Sequence, residues 1–218
     1  MTTLHLIRHG ETNWNAEGRI QGQMESVLTD LGRQQASELQ KRLLDYSFDR
    51  VYCSSSVRAR QTTAIALGHH PHPVTYRDDL REIFLARWEG FLYAEIEASD
   101  PEAIHAFRNE PHKFDVEGAE TFHALQQRAL AAVDAIIREC RGQEVAIISH
   151  GAWIKSVLSH YEGRPLSRFW EPPRMHNCCH SIVHIPVDGD KPRIIRYADN
   201  NLNHHARDGE TAAPKPVL

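Results

Sequence analysis

Two histidines, two arginines and one glutamate stand out in this sequence, because their side chains could together transfer a phosphoryl group. They lie in four clusters: Arg8-His9-Gly10-Glu11-Thr12, Arg58, Leu80-Arg81-Glu82-Ile83 and Ser149-His150-Gly151. Two arginines can hold the negatively charged oxygens of the group by several directed hydrogen bonds each. One imidazole with an unprotonated nitrogen can attack phosphorus, and a second can donate to a phosphoryl oxygen. A carboxyl group can protonate the leaving oxygen and then take a proton from the attacking water.

Each cluster taken alone also has an ordinary explanation. An Arg-His pair after a strand is usually a surface feature, Arg58 could be an exposed helix residue, and Glu82 could be a solvated or capping carboxylate. Ser149-His150-Gly151 could be a plain strand-to-helix turn, and it lacks the G-x-S-x-G pattern of a hydrolase nucleophile. The combination of the four clusters, in this order, is far more specific than any member, so we interpret them as one site.

The other histidine and cysteine groups do not have the spacing of a metal site. His69-His70-Pro71-His72 and His204-His205 are short runs, and Cys178-Cys179-His180 lacks the spacing of structural zinc ligands. The four clusters already supply every part of the reaction without a metal. We therefore expect no metal and no cofactor.

The pattern of apolar residues places two of these clusters at the ends of strands. Leu4 to Arg8 is a short apolar run that stops at His9-Gly10, and Glu144 to Ser149 is a β-branched run that stops at His150. In open α/β sheets, ligands usually lie at the carboxyl ends of the strands. We therefore expect His9 and His150 to share one site.

Strands and helices alternate along most of the chain, which predicts a three-layer α/β/α sandwich with a mostly parallel central sheet. Further strands are predicted at 50–54, 73–76, 182–186 and 193–197, and helices at about 30–45, 54–68, 118–138 and from 151 onward. We expect one domain over 1–198, with an irregular, partly helical lid insertion at about 84–117. Residues 199–218 are polar and predict a loosely ordered tail.

Composition excludes several classes of protein. The chain has 218 residues, 41% of them hydrophobic, and a formal net charge of −4, which argues against a general nucleic-acid or membrane binder. No apolar run approaches the roughly 20 residues that cross a bilayer, and the N-terminus does not have the pattern of a signal peptide. Four cysteines without a C-x-x-C pair favour a reducing cytoplasm. The sequence leaves the oligomeric state open, a homo-oligomer included.

The motifs and their order resemble those of the histidine phosphatase superfamily, the group that includes cofactor-dependent phosphoglycerate mutase. The resemblance spans roughly residues 4 to 185. The matching segments are Leu6-Ile7-Arg8-His9-Gly10-Glu11-Thr12, Trp14-Asn15, Gly18-Arg19-Ile20-Gln21-Gly22, Leu28-Thr29, Tyr52-Cys53-Ser54, Arg58-Ala59, Gln61-Thr62, Leu80-Arg81-Glu82-Ile83, Trp88-Glu89-Gly90, Glu120-Thr121 and Ser149-His150-Gly151.

This resemblance implies a role for each clustered residue. It implies a phosphohistidine intermediate on His9, with Glu82 as the proton donor. It also implies that Arg8, Arg58 and His150 surround the phosphate. We count Asn15, Gln21 and Gly151 as further phosphate-binding residues. The chain departs from the family at Ala86, where glycine is frequent.

Three functions fit the resemblance. The first is a phosphatase that hydrolyses small phosphate monoesters. The second is a phosphoglycerate mutase, whose lid carries adjacent arginines; residues 83–127 contain no Arg-Arg pair, which favours the phosphatase. The third is a non-enzymatic protein that binds a phosphate ligand on the same scaffold, although no catalytic position is lost here. The sequence does not name the substrate.

Overall fold

The computed structural model describes residues 1–71, 73–186 and 190–202, in which seven strands form one mixed sheet. The strands are Thr2–Arg8 (β1), Arg50–Ser54 (β2), Val74–Arg77 (β3), Glu144–Ser149 (β4), His180–Ile185 (β5), Arg193–Tyr197 (β6) and Asn200–Asn201 (β7). Their order across the sheet is β3-β2-β4-β1-β5-β6-β7. The first four are parallel, and β5, β6 and β7 run antiparallel to their neighbours. The predicted α/β class with a mostly parallel core is confirmed.

Helices cover both faces of this sheet. They are Asn13–Glu17 (α1), Asp30–Leu43 (α2), Val57–Ala66 (α3), Tyr93–Ser99 (α4), Pro101–Asn109 (α5), Phe122–Glu139 (α6) and Gly151–Glu162 (α7). Alternate residues of a strand point to opposite faces. Ile148 of β4 packs in a core with α2 and α3, whereas its neighbour Ile147 packs in the core with α6 and α7. These three layers are the predicted sandwich.

Some element boundaries differ from the sequence predictions. The helix predicted from residue 118 begins at Phe122, because Thr121 caps it by accepting from the Ala124 amide at 3.2 Å. Gly118 precedes the helix with φ of +78°, a conformation that no helix residue adopts. The short helix α1 was not predicted, since its five residues carry no apolar period. It is held by a capping box between Thr12 and Asn15.

The segment predicted as a lid, residues 84–117, consists of α4, α5 and two single 3₁₀ turns, Ala86–Trp88 and Pro111–Lys113. Three of its aromatic rings are buried and pack on one another, whereas Phe84 and Phe91 are exposed. Ring centroids of Trp88, Phe107 and Phe114 lie 5.1–5.9 Å apart, and Phe114 also packs on Phe122 of α6. The segment is therefore attached to the helical layer through a shared core rather than lying loosely over the sheet.

The predicted loosely ordered tail is described only at its start. Asn200–Asn201 pairs with β6 as an edge strand, with Tyr197 opposite Asn200. Residues 203–218 lie outside the described residues, as does the tail prediction that falls on them. In the described part of the chain, no helix is long and apolar enough to cross a membrane.

Two glycines allow the loop after β1 to approach the first turn of α2. A Cβ on Gly10 would lie 2.6 Å from the Gly32 carbonyl oxygen, and one on Gly32 would lie 2.0 Å from the Glu11 carbonyl oxygen. Any side chain at either position would force these backbones apart. This close approach fixes the loop that carries His9.

A buried pair of histidines connects β1 to β5. His5 Nε2 lies 2.8 Å from the Glu144 carboxylate, and His5 Nδ1 lies 2.8 Å from His180 Nε2. His180 Nδ1 in turn lies 3.4 Å from an Arg196 nitrogen, which can only donate. All three contacts are satisfied if each ring is neutral and carries its proton on Nε2. Burial, with neighbouring positive charge, lowers the pKa of both His5 and His180 to about 3.

We expect this pair to make the fold sensitive to acid. The unfolded rings take up protons below their ordinary pKa of about 6.5, whereas the folded rings stay neutral until about pH 3. Stability is therefore full above pH 6.5 and is lost as pH falls toward 3, by up to about 1.4 kcal/mol per pH unit for each ring. The groups that face the pair are Glu144, Tyr46, His184, Arg196, Asp199 and Arg42.

The measurement is urea unfolding between pH 7.5 and 5, for the protein and for the variants His5→Gln and His180→Gln. We expect each variant to lower the slope of unfolding free energy against pH. His123→Gln, on the exposed side of α6, is the control and should leave the slope unchanged. A slope in both pair variants equal to that of the unaltered protein would contradict the assignment.

Candidate active site

Five of the eight predicted site residues line a pocket at the carboxyl ends of the parallel strands. β1 and β4 are parallel neighbours, with Arg8 opposite Ser149, and this register places His9 beside His150. The two imidazole rings lie 5.2 Å apart between centroids. The empty volume of the pocket is about 280 Å³, and its lining residues are Arg8, His9, Ile20, Gln21, Gly22, Arg58, Glu82, Leu85 and Tyr93.

His9 is held by its own loop in an orientation that suits attack. Its Nδ1 lies 2.7 Å from the Gly10 carbonyl oxygen, which can only accept, so the proton is on Nδ1. Burial, together with the positive charges of Arg58 and Arg8, lowers the pKa of His9 well below its usual value. The ring is therefore neutral, and the Nε2 lone pair is available to the pocket.

Arg8 lies buried at the end of β1 with most of its hydrogen-bonding capacity unused. One Nη1 hydrogen bond goes to the Met175 carbonyl oxygen. Within the described part of the protein, its buried Nε has no hydrogen-bond partner. A Cβ on Gly151 would lie 3.5 Å from that Nε, so Gly151 packs against the guanidinium and does not line the pocket. A buried donor without a partner is costly, which favours an acceptor there.

Arg58 connects the second imidazole to the loop that follows Gln21. It donates through Nε to His150 Nδ1 at 3.2 Å, through Nη1 to the Met24 carbonyl at 2.8 Å and through Nη2 to the Gly22 carbonyl at 2.7 Å. Burial lowers the pKa of Arg58 to about 10, so this guanidinium remains positively charged at neutral pH.

His150 is fully buried behind Arg58 and does not line the pocket. Because its Nδ1 accepts from Arg58, its proton is on Nε2, which lies 2.8 Å from the Ser54 hydroxyl. Burial, Arg58 and His9 lower the pKa of His150 well below its usual value. In this state His150 does not present the N–H donor that was expected for phosphate. Its neutral ring carries its proton on Nε2, so Nδ1 can only accept, and the donor at Nδ1 is the Nε of Arg58.

Glu82 lines the pocket from the segment between β3 and α4. Its carboxylate accepts from the amides of Ile83, Ala152 and Trp153, each at 3.0 Å. Two of these amides belong to the first turn of α7, whose positive dipole end attracts a carboxylate. The carboxyl group is thus fixed in position while its exposed edge faces the pocket.

Gln21 and Asn15 were both predicted to bind phosphate, and of the two only Gln21 lines the pocket. The Gln21 amide oxygen accepts from the hydroxyls of Thr12 at 3.0 Å and Ser26 at 2.7 Å, which leaves its amide nitrogen for the pocket. The Asn15 amide oxygen lies 3.2 Å from the Thr12 amide and 3.3 Å from Asn177 Nδ2. Asn15 therefore caps α1 and is not among the pocket-lining residues.

Sequence reasoning missed several lining residues. Tyr93, at the start of α4, and Leu85 belong to the segment that was interpreted as a lid; both lie near matching segments, but neither is part of one. Ile20 and Gly22 flank Gln21 in the matching segment but carry no reactive group. Their contribution is the shape of the pocket, which only the folded chain reveals.

In the described residues, no three or more His, Cys, Asp or Glu side chains are grouped so that they could hold a metal. His70, in one of the short histidine runs, lies 2.7 Å from the Phe48 carbonyl and has a structural contact. His72, His204 and His205 lie outside the described residues.

The chain belongs to branch 1 of the histidine phosphatase superfamily, whose family model matches residues 4–200. That span includes every lining residue of the pocket. The resemblance inferred from the motifs is therefore confirmed.

Individual relatives agree with this family. The solved structure of Bacillus stearothermophilus YhfR is 38% identical with a TM-score of 0.87, and the match covers 94% of this chain and 99% of that one. Metal-independent phosphoserine phosphatase of Arabidopsis thaliana is 34% identical over 160 residues, 72% of this chain and 67% of the relative. Phosphoglycerate mutase-like protein 4 of the same plant is 33% identical over 197 residues, 89% and 84% of the two chains.

The chain is accordingly a phosphoric monoester hydrolase, the predicted class of enzyme.

Proposed function

We propose that this hydrolase transfers the phosphoryl group of a small monoester to His9 Nε2 and then to water, without a metal or cofactor. The observation that carries the proposal is the neutral His9 ring, locked through Nδ1 to Gly10 and placed between two buried arginines. An arginine has five N–H donors. In the described protein Arg8 uses one of its five donors, so four remain for phosphoryl oxygens. Arg58 uses three, so two remain.

The reaction has two steps. In the first, the Nε2 lone pair of His9 forms a bond to phosphorus while the ester P–O bond breaks, and Glu82 gives a proton to the leaving oxygen. In the second, a water oxygen bonds to phosphorus as the N–P bond breaks, and Glu82 takes the proton of that water. His9 returns to its neutral form, with its ring still held by Gly10.

His150 acts through its exchange of partners with Arg58. Burial and the positive charge of Arg58 now disfavour a proton on His150, and the negative phosphoryl group offsets that charge. The proton of the bound monoester monoanion passes to His150 Nδ1, which then donates to a phosphoryl oxygen, and the Nε of Arg58 is released to a second oxygen. Gln21 adds its amide nitrogen, and Ser54 keeps the His150 ring in place.

The lining around the leaving group favours water over a carboxylate acceptor. Beyond the phosphate-binding arginines, the pocket adds Ile20, Leu85 and Tyr93, and none of the described lining residues is a further cation. A phosphoglycerate mutase must hold the carboxylate of its substrate and keep water from the phosphohistidine. We therefore infer that weakly polar leaving groups are preferred and that hydrolysis dominates. A protein that only binds phosphate is less favoured, because all proposed catalytic groups are present.

The test is a panel of esters assayed with a chelator: p-nitrophenyl phosphate, alkyl phosphates, phosphoserine and 3-phosphoglycerate. We expect phosphate release that the chelator does not change, and release that greatly exceeds exchange between 3- and 2-phosphoglycerate. Loss of activity that one divalent ion restores would contradict the metal-free reaction. Efficient isomer exchange with negligible phosphate release would favour the mutase instead.

We also place the protein in the cytoplasm. All four cysteines are buried and free, without a disulfide to require an oxidising compartment. Its partner there is a small phosphate ester.

A further inference from the structure

The segment that carries Glu82 is held by side chains rather than by a sheet ladder. It follows a single 3₁₀ turn, Asp78–Leu80, and enters the lid. Successive carbonyl oxygens from 79 to 82 each accept from a side chain. The donors are Arg128 and Trp153 to Asp79, Ser149 to Leu80, Arg128 to Arg81, and Arg128 and Gln23 to Glu82.

Arg128 is the residue that these contacts share. From α6 it donates to the carbonyls of Asp79 and Arg81 at 2.9 Å and to that of Glu82 at 3.1 Å. Its other edge forms a two-point ion pair with Glu120, with both distances 2.8 Å. Both side chains are largely buried, with 23% and 13% exposed. A planar fork that is bound on both edges has little freedom to move.

Glu120 completes the attachment on the far side of Glu82. Its carboxylate accepts from the Phe84 amide at 3.2 Å, and its own amide donates to the Phe84 carbonyl at 2.8 Å. The backbone is therefore fixed on both sides of Glu82 by one pair of residues. Neither Arg128 nor Glu120 lines the pocket, so the pair cannot act on substrate directly.

We infer that Arg128 and Glu120 are positioning residues for Glu82, an inference that rests on the proton-transfer role proposed above. Proton transfer requires the carboxyl group within hydrogen-bond reach of the leaving oxygen, and a displacement of about 1 Å can cost on the order of 10²-fold in rate. The phosphate-binding groups come from the end of β1, the loop at Gln21, α3 and the start of α7, and none of the Arg128 hydrogen bonds goes to them. Loosening the pair therefore affects proton transfer and spares phosphate binding.

The experiment compares Arg128→Lys and Glu120→Gln with Arg138→Gln, an exposed arginine near the end of the same helix. Each variant is assayed on an alkyl phosphate, whose leaving oxygen needs a proton, and on p-nitrophenyl phosphate, whose leaving group needs little help. We expect kcat/KM on the alkyl ester, which reports on transfer to His9 and not on the later hydrolysis, to fall about tenfold or more in Arg128→Lys and Glu120→Gln. We expect kcat/KM on the activated ester and the inhibition constant of inorganic phosphate to stay within about twofold, and Arg138→Gln to match the unaltered enzyme.

Equal losses of kcat/KM on both esters, or weaker inhibition by inorganic phosphate, would overturn the inference, as would full activity in both variants. Thermal unfolding of each variant shows whether it is folded in the assay. The two variants change the two partners of one ion pair. If one variant fails to fold, the other still tests the inference. In a Glu82→Gln background, Arg128→Lys should cause almost no further loss, because the two changes act on one step.

The same series separates this inference from the proposed function. Glu82→Gln alone reports on proton transfer by Glu82. If it slows both esters equally, the role of Glu82 is wrong. If it slows the alkyl ester selectively and Arg128→Lys does not, Glu82 keeps its role and only the positioning pair is wrong.

Discussion

The variant His9→Ala should lose phosphate release to the background level, a fall of at least about 10⁴-fold in kcat. The physical reason is the position of the ring: His9 Nε2 is the neutral nucleophile that lines the pocket, and His150 is engaged at both nitrogens by Arg58 and Ser54. The second imidazole therefore cannot replace the first. Binding of inorganic phosphate should persist, because both arginines remain.

A rapid quench of the unaltered enzyme with labelled ester provides the direct measurement. Label should be found on His9, stable in base and lost in acid, as expected for a phosphohistidine. His160→Ala, an exposed histidine at the end of α7, serves as the matched control and should keep both activity and label. Label on another residue, or an active His9→Ala enzyme, would show that the nucleophile is wrongly assigned.

The variant Glu82→Gln should discriminate between leaving groups. General acid assistance is worth about 10²–10⁴-fold where the leaving oxygen needs a proton. We expect a loss of that order in kcat/KM on alkyl phosphates and a much smaller one on p-nitrophenyl phosphate, because kcat/KM does not include the later hydrolysis of the phosphohistidine. The amide nitrogen of glutamine must also face the Ala152 or Trp153 amide, since all three present contacts of Glu82 are N–H donors.

The contact between two N–H donors that glutamine creates at position 82 requires a separate control. Glutamine at position 82 could shift the first turn of α7 and with it His150, which would slow every ester. Glu82→Asp keeps the charge and accepts the same amides from a shorter side chain, so it reports on placement. Glu102→Gln, on the exposed face of α5, controls for the loss of one negative charge. Equal slowing of both esters in Glu82→Gln would mean that Glu82 only supports α7.

The sequence predicted those parts of the site that depend on strand ends. His9 and His150 follow β1 and β4, and two parallel neighbours bring their carboxyl ends together in any register close to the observed one. Glu82 lies outside any strand, so its place was available only from the motif resemblance. The motif could not show that three backbone amides hold its carboxylate, because two of the donors, Ala152 and Trp153, come from another part of the chain.

Side-chain orientation was the part that sequence could not supply. His150 was expected to donate to phosphate, yet its ring accepts from Arg58, and the choice depends on Ser54 at its other nitrogen. Asn15 was predicted to bind phosphate, and in the structure its amide oxygen accepts from the Thr12 amide in the capping box of α1 and from Asn177 Nδ2. The His150 contacts and the Asn177 contact join residues that are far apart in the chain.

The central position of β1 in the sheet affects which parts of the backbone can open locally. β1 is paired along its length with β4 on one side and β5 on the other, so its amides can exchange with solvent only when the whole sheet opens. The strands β3 and β7 lie at the edges and can fray alone. The backbone that carries Arg8 and His9 therefore belongs to the last unit of the protein to unfold locally. Ester and phosphate can therefore enter and leave while the backbone that carries the nucleophile stays in register.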